Sequence, residues 1–273
     1  MGLLVPYAQQ TMADLNFSGR PTGTWGTQLT AHATIHTLGT KQELVAATTH
    51  ETDLVKVYVY NTRSATTLTD QLVNIYIGGA GVERVLIPNL LSGWANEAAN
   101  GKPGRRYVFP LHIPRGARIT ADCQALISAD TVIVQIELYG GGGIGWSGGG
   151  VECLGADTAN SRGTGVVAGS ASDGALTSIG TSTYTYKAIM GVQAGNSDTS
   201  MIESFMALDI GLSGAVLPGL ENFLQILTTQ EDTQDLDIFP RYREVPAGTA
   251  LYARLQSSGT DTETHYVCIY GVF

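Results

Sequence analysis

The chain is poor in charge. Lys and Arg number 15 and Asp and Glu 24 among 273 residues, so charged side chains make up 14% of the total, against roughly a quarter in ordinary globular proteins. The net charge is −9, and no basic cluster exceeds Arg105-Arg106. Binding to a phosphate backbone depends on Lys and Arg, so no nucleic-acid partner is expected. Cysteine is scarce too: Cys123, Cys153 and Cys268 are widely spaced and odd in number, which makes no disulfide framework. Cys123 and Cys268 lie in alternating apolar stretches and read as small buried hydrophobes. No run approaches the ~18 apolar residues of a membrane-spanning helix, so no membrane partner is expected. The start, Met1-Gly2-Leu3-Leu4-Val5-Pro6, lacks a basic region and a long apolar core. It is not expected to be a signal peptide, which implies synthesis in the cytoplasm.

Thr, Ser and Gly take the place of charge. Surfaces of hydroxyls and backbone suit sheet proteins, and proteins that pack against neighbours. One stretch organises the rest: Phe109 to Gly140, FPLHIPRGARITADCQALISADTVIVQIELYG, is echoed by Phe239 to Gly271, FPRYREVPAGTALYARLQSSGTDTETHYVCIYG. Both open Phe-Pro, carry Pro-x-Gly (Pro114-Arg115-Gly116 and Pro246-Ala247-Gly248) and close on an aliphatic-Tyr-Gly. His112 and Arg115 do not recur at their matched positions, whereas the prolines, glycines and alternating aliphatics do. The persistent residues are therefore folding residues: proline withholds a ladder donor and sets turns, and glycine permits them.

The organisation expected is an N-terminal arm (1–24), a first β-sandwich (25–140), a Gly-rich linker (141–150) and a second β-sandwich (151–273). Leu54–Tyr60, Leu72–Gly78, Val82–Ile87, Ile119–Ile127 and Thr131–Tyr139 read as strands, as does the alternating run Thr27–Thr37. Pro88 to Glu97 has room for a helical turn. In the second copy, Ala188, Met190 and Val192 fall where Val55, Val57 and Val59 fell. Gly163–Ala175 is small and flexible, and Leu220, Phe223, Leu224 and Leu227 have helical spacing over a span too short to separate helix from strand. The linker GGGGIGWSGGG has eight glycines in eleven positions, too many for a strand or helix. The fold class is all-β: two tandem, internally repeated antiparallel β-sandwiches of jelly-roll type.

Chemistry is sparse. Gly145-Trp146-Ser147-Gly148-Gly149 fits a nucleophile-elbow pattern, but such an elbow needs a strand before it and a helix after it, and glycine flanks both sides. His32 and His36 on a strand would stand ~13 Å apart, too far for one metal ion. Glu231, Asp232, Asp235 and Asp237 lack the spacing and glycine of a calcium loop. No catalytic, cofactor-binding or metal residue is assigned, and no enzyme activity is expected. What remains is aromatic and apolar surface. Leu3, Leu4, Val5 and Tyr7 form an apolar tip on a polar leash, suited to docking on another subunit. Tyr58 and Tyr60 share the parity opposite Val57 and Val59, hence the outer face of a sheet. Trp94 sits in a loop, and Trp146 interrupts the linker.

Tandem sandwiches, low charge, Thr/Ser/Gly surfaces and an apolar arm resemble accessory virion proteins of tailed bacteriophages, namely head decoration proteins, head-spike or fibre bases, and neck or tail adaptors. The resemblance lies in architecture and composition. It implies a structural role on a symmetric particle, with other virion proteins and copies of itself as partners. Location would be the virion after synthesis in the host cytoplasm. The alternative is a carbohydrate- or receptor-binding module, with Tyr58, Tyr60 and Trp94 as platforms for a host-surface glycan. A jelly-roll metalloenzyme is disfavoured, because His32, His36 and His112 are not spaced as a ligand set.

Overall fold

In a computed structural model, the structure describes residues 11–15, 26–61, 71–92, 104–140, 146–196, 204–216, 220–227, 237–259 and 264–273. They are strands and loops. The first copy holds β1 (Thr11–Leu15), β2 (Thr27–Thr30), β3 (Gln42–Val45), β4 (Leu54–Asn61), β5 (Gln71–Ile77), β6 (Arg84–Leu91), β7 (Gly104–Phe109), β8 (Ile119–Ala125) and β9 (Thr131–Gly140). The second holds β10 (Val151–Leu154), β11 (Thr164–Ser170), β12 (Thr177–Thr181), β13 (Tyr186–Asn196), β14 (Ser204–Leu212), β15 (Ala215–Val216), β16 (Phe223–Leu227), β17 (Asp237–Ile238), β18 (Arg241–Val245), β19 (Ala250–Ser257) and β20 (Thr264–Val272).

The pairing is that of two jelly rolls. In the first, β2, β9, β4 and β7 line up in one sheet and β3, β8, β5 and β6 in the other. In the second, β11, β20, β13 and β18 match the former, while β12, β19, β14 and β16 match the latter. The chain thus crosses between sheets in the same order twice, which is the double Greek key of a jelly roll. Val55, Val57 and Val59 alternate inward at 0% exposure, as their parity implies. Pro88 sits in β6, an edge strand where a missing donor is tolerated, beside a break in the β5–β6 register.

The repeated residues have identical jobs in both copies. Gly116 and Gly248 adopt φ of 81° and 80°, with open space where a Cβ would stand. Each turn is clamped by a hydroxyl from a preceding loop. Thr48 Oγ1 donates to Pro114 O (2.7 Å) and accepts from Ala117 N (3.0 Å). Ser182 Oγ donates to Pro246 O (2.9 Å) and accepts from Thr249 N (3.0 Å). A second duplicated device holds β5 to β6 and β14 to β16. Asn89 and Asn222 take positive φ (50° and 57°), and their N–H groups donate to Asn74 Oδ1 (2.8 Å) and Asp209 Oδ1 (2.7 Å). Asn74 then donates to Asp122 Oδ1 (3.1 Å), whereas Asp209 accepts from Arg254 Nε (2.9 Å). The scaffold persists while the charges change.

Several expectations are corrected. The run Thr27–Thr37 is strand only to Thr30; His36 has φ 56° and lies in a loop. Thr11–Leu15, inside the segment assigned to the arm, is hydrogen-bonded to β9 of its own sandwich, just as β10 is bonded to β20. Within Gly163–Ala175, residues 164–170 form β11, and glycine at 163 lets Val267 O approach to 2.6 Å of where a Cβ would be. The helical spacing at Leu220–Leu227 resolves as strand β16, and Pro88–Leu91 belongs to β6; 93–97 lie outside the described residues.

The parity of β13 also differs. Met190 is opposite Tyr270, and Gly191 opposite Ile269. Gly191 faces Leu208 and Ile210 of the opposing sheet, so Ala188, Met190 and Val192 point to the other side. Ala188, Ile189, Met190 and Val192 are all fully buried, so both faces of β13 are buried over residues 188–192. Tyr270 marks the junction. Its ring meets Tyr107 (5.7 Å, 68°) and Phe109 (6.2 Å, 73°) edge-on, and all three are fully buried. Its hydroxyl donates to Asn89 O (2.8 Å) and accepts from Leu91 N (3.2 Å), while Tyr107 Oη donates to Leu91 O (2.7 Å). The second sandwich therefore caps the first where β6 and β7 leave its two sheets open. β17 extends the contact by pairing parallel with β7. Buried residues of both copies form one continuous core.

Candidate functional site

The linker leads from this junction to the surface. Gly148 N donates to Pro110 O (2.8 Å) and Gly148 O accepts from His112 N (2.9 Å). Gly149 N donates to Phe273 O (2.7 Å), and Phe273 N donates to Gly150 O (3.1 Å). A Cβ at 148 would meet Phe273 O and Val272 Cγ1 at 2.6 Å, so only glycine fits. Residues 146–150 are thus fixed to both sandwiches. Ser147 lies in this tether, not on a strand-to-helix turn.

Held this way, Trp146 half-buries against the core and meets the ring of Tyr242 edge-on (6.3 Å, 76°). Tyr242, on β18, is 56% exposed, and Phe239 just before it 47%. Tyr184 is 47% exposed and stacks on Phe273 at 3.9 Å. An aromatic surface thus borders the linker and the β18 edge. Trp146 was legible as out of place in a linker; Tyr242, Phe239, Tyr184 and Phe273 were not singled out. The repeated Phe-Pro did carry a signal for Phe239, since its counterpart Phe109 is buried.

The other aromatic pair is on the first sandwich. Tyr58 and Tyr60 stand on the outer face of β4, half-buried, with rings parallel within 8° at 6.2 Å and Lys56 Nζ 5.0 Å from the Tyr58 ring. They lie on the first sandwich, and Trp146 lies on the tether. Leu3, Leu4, Val5, Tyr7 and Trp94 lie outside the described residues, as do Glu231, Asp232 and Asp235.

His32 Nδ1 accepts from Thr34 N (2.9 Å), while His36 Nδ1 bonds with Ser161 Oγ (3.0 Å) across the junction. Among the described residues no group of three or more His, Cys, Asp or Glu could hold a metal ion. Burial raises the Asp122 carboxyl above its ordinary 3.8, against the hydrogen bonds of Tyr76 and Asn74 and the charge of Lys41. Burial also pushes the Cys123 thiol up to about 12, with the carboxylates of Asp122 and Asp130 adding to it, so it is an inert apolar side chain. Arg118 bridges Glu43 and Glu83, each at 2.7 Å.

No family model matches the chain, and no curated protein does. Among solved structures it is similar to a chain of Broad Bean Stain Virus, at 10% identity and TM-score 0.37, covering 100% of this chain and 90% of that one. It is also similar to the N-terminal CBM22-1–CBM22-2 tandem domain of Xyn10C from Paenibacillus barcinonensis, at 11% identity and TM-score 0.29, covering 98% and 94%. Likenesses this distant assign no function.

Proposed function

We propose that this chain is a non-enzymatic structural protein of a phage-like particle, attaching to or bridging other virion subunits through its sandwich surfaces and N-terminal segment. The observation that carries the reading is the junction. Two jelly rolls share one core through Tyr107, Phe109 and Tyr270, and the tether is bonded to both. A fused, inflexible pair suits a building block, which must hold neighbours at fixed angles. The exposed aromatic surface of Trp146, Tyr242 and Phe239 suits a protein contact, because aromatic side chains anchor interfaces. In this reading the protein is made in the host cytoplasm and resides in the virion. Co-sedimentation with particles through a density gradient tests it: the protein is expected in the particle fraction after a high-salt wash, and recovery only among free proteins would reject the role.

A second reading, binding of a host-surface glycan, is favoured by the Tyr58–Tyr60 pair on an outer sheet face, since such rings offer an apolar body and a polar tip. A glycan array in which Tyr58→Ala and Tyr60→Ala lose a wild-type signal would support it; a blank array with wild type would remove it.

A further inference from the structure

Three adjacent strands of the first sandwich place a lysine, an aspartic acid and an asparagine in one row. Asn74 of β5 is the register partner of Asp122 of β8. Gln42 of β3 is opposite Ala121, so Lys41, the residue before it, falls beside Asp122 on the other side. The row is buried: every residue of β5 and β8 is, with Asn74 at 7% and Asp122 at 3% exposure. Asn74 Nδ2 donates to Asp122 Oδ1 (3.1 Å), and Tyr76 Oη donates to Asp122 Oδ2 (2.9 Å). Lys41 Nζ lies 3.9 Å from the centre of the Tyr76 ring, with Glu83 Oε2 at 3.8 Å. Asn74 Oδ1 accepts from Asn89 N (2.8 Å). The second copy fills the matching row with charges: Arg254 Nη2 stands 2.9 Å from Asp209 Oδ2 and 2.7 Å from Asp173 Oδ2. That set is closed by ion pairs. The first copy holds an amine, a carboxyl and an amide instead, which are the parts of an aminolysis.

We infer that Lys41 and Asn74 join in an isopeptide bond that the folded chain makes for itself, with Asp122 moving the protons. Two strand spacings, about 10 Å, separate the backbones of Lys41 and Asn74. The amine lies over Tyr76, whose hydroxyl bonds to both Asn74 and Asp122, and a swing of the lysine stem closes the remaining gap. Holding amine and amide side by side makes the attack effectively unimolecular. The Lys41 ammonium gives a proton to the Asp122 carboxylate, and the neutral amine attacks Asn74 Cγ. The Asn89 N–H at Asn74 Oδ1 stabilises the oxyanion that forms. Asp122 passes its proton to Nδ2 and accepts one from Nζ. The Cγ–Nδ2 bond breaks and ammonia leaves. The products are an Nζ–Cγ amide, ammonia and a neutral Asp122, with no oxidant required. A neutral Asp122 suits its site, where burial already holds the carboxyl above its ordinary 3.8. The bond fastens the start of β3 to β5 across β8, where the second copy relies on ion pairs. This goes beyond the structural reading above and does not depend on it.

The test is the intact mass of the purified full chain under denaturing conditions, followed by tryptic mapping. Wild type is expected to weigh less than its sequence by one ammonia, after allowing for removal of Met1. Trypsin should then fail to cut after Lys41 and release a branched peptide that joins Lys41 to Asn74. Lys41→Arg keeps the positive charge beside Tyr76 and Glu83 but removes the amine, and it is expected to show its full sequence mass. Asn74→Ala and Asp122→Asn are expected to do the same. Circular dichroism melts confirm that each variant is folded; Lys41 is partly exposed, so Lys41→Arg decides the matter even where a buried substitution prevents folding. A merely structural row of polar contacts changes none of these masses. A wild type at full sequence mass, a Lys41→Arg chain that still lacks the ammonia, or a folded Asp122→Asn chain that still loses it overturns the inference. Free protein suffices for every measurement, so failure here leaves particle co-sedimentation to judge the structural role separately.

Discussion

Tyr270→Phe isolates the chemistry of the junction with little change of shape. The phenol is fully buried and satisfies two backbone groups, Leu91 N–H and Asn89 C=O. Without the hydroxyl, Leu91 N–H loses that acceptor, and Asn89 O keeps only a long contact from Cys153 Sγ at 3.9 Å. A buried polar group left unsatisfied costs about 1–3 kcal/mol, so the variant should lose about 2–4 kcal/mol. The ring remains, so its packing on Tyr107 and Phe109 is not the quantity measured. The control is Tyr139→Phe, the same substitution at the same position of the repeated motif. Its hydroxyl serves the partly exposed Glu137 carboxylate, and the expected loss is about 0.5 kcal/mol or less. Urea titration of both variants, followed by far-ultraviolet circular dichroism, gives the comparison through the shift in midpoint. Equal losses would refute the reasoning, since they would mean that the two tyrosines occupy equivalent environments.

Further outcomes follow from the same geometry. Gly116→Ala and Gly248→Ala should each cost about 1–2 kcal/mol, and by similar amounts, because open space leaves backbone strain as the cost; urea midpoints that differ widely would contradict the shared turn. Gly148→Ala should cost about 1–3 kcal/mol through overpacking on Phe273 and Val272, read as a drop in melting temperature. Because the core is continuous, Trp fluorescence and circular dichroism should report one coincident unfolding transition; separate transitions would mean that the sandwiches unfold independently. Asp122 has a raised folded-state pKa, so the stability linked to its protonation is full below the ordinary 3.8 and is lost as pH rises through the folded value. The melting-temperature difference, wild type minus Asp122→Asn, should therefore fall as pH rises from the ordinary value upward, and a rise would contradict the assignment.

The strands with one buried face were legible. β4 alternates because valine faces the core and tyrosine does not, and Pro-x-Gly recurs because its turn needs one residue at positive φ. What escaped was anything decided by the other half of the molecule. Ala188, Met190 and Val192 were aligned with Val55, Val57 and Val59, but residues 188–192 of β13, Ala-Ile-Met-Gly-Val, are buried on both faces and carry no polar side chain. A shift of one position then reverses every side chain without leaving a mark in the pattern. Thr48 and Ser182, the clamps of the two turns, are single hydroxyls in loops, and their partners lie more than sixty residues away. Tyr139 and Tyr270 read as the same residue of one motif; only the packing of the second sandwich on the first separates them. Strand β1 was hidden for a similar reason, because an edge strand of five residues needs little apolar periodicity to pair.

The most direct test of the structural role is cryo-electron microscopy of gradient-purified particles from cells producing the protein. The account expects two-lobed density repeated with the symmetry of the particle, each lobe fitting one jelly roll and the pair held at the angle of the Tyr107–Phe109–Tyr270 joint. Particles without such density, with the protein recovered only from the unassembled fraction, would contradict it.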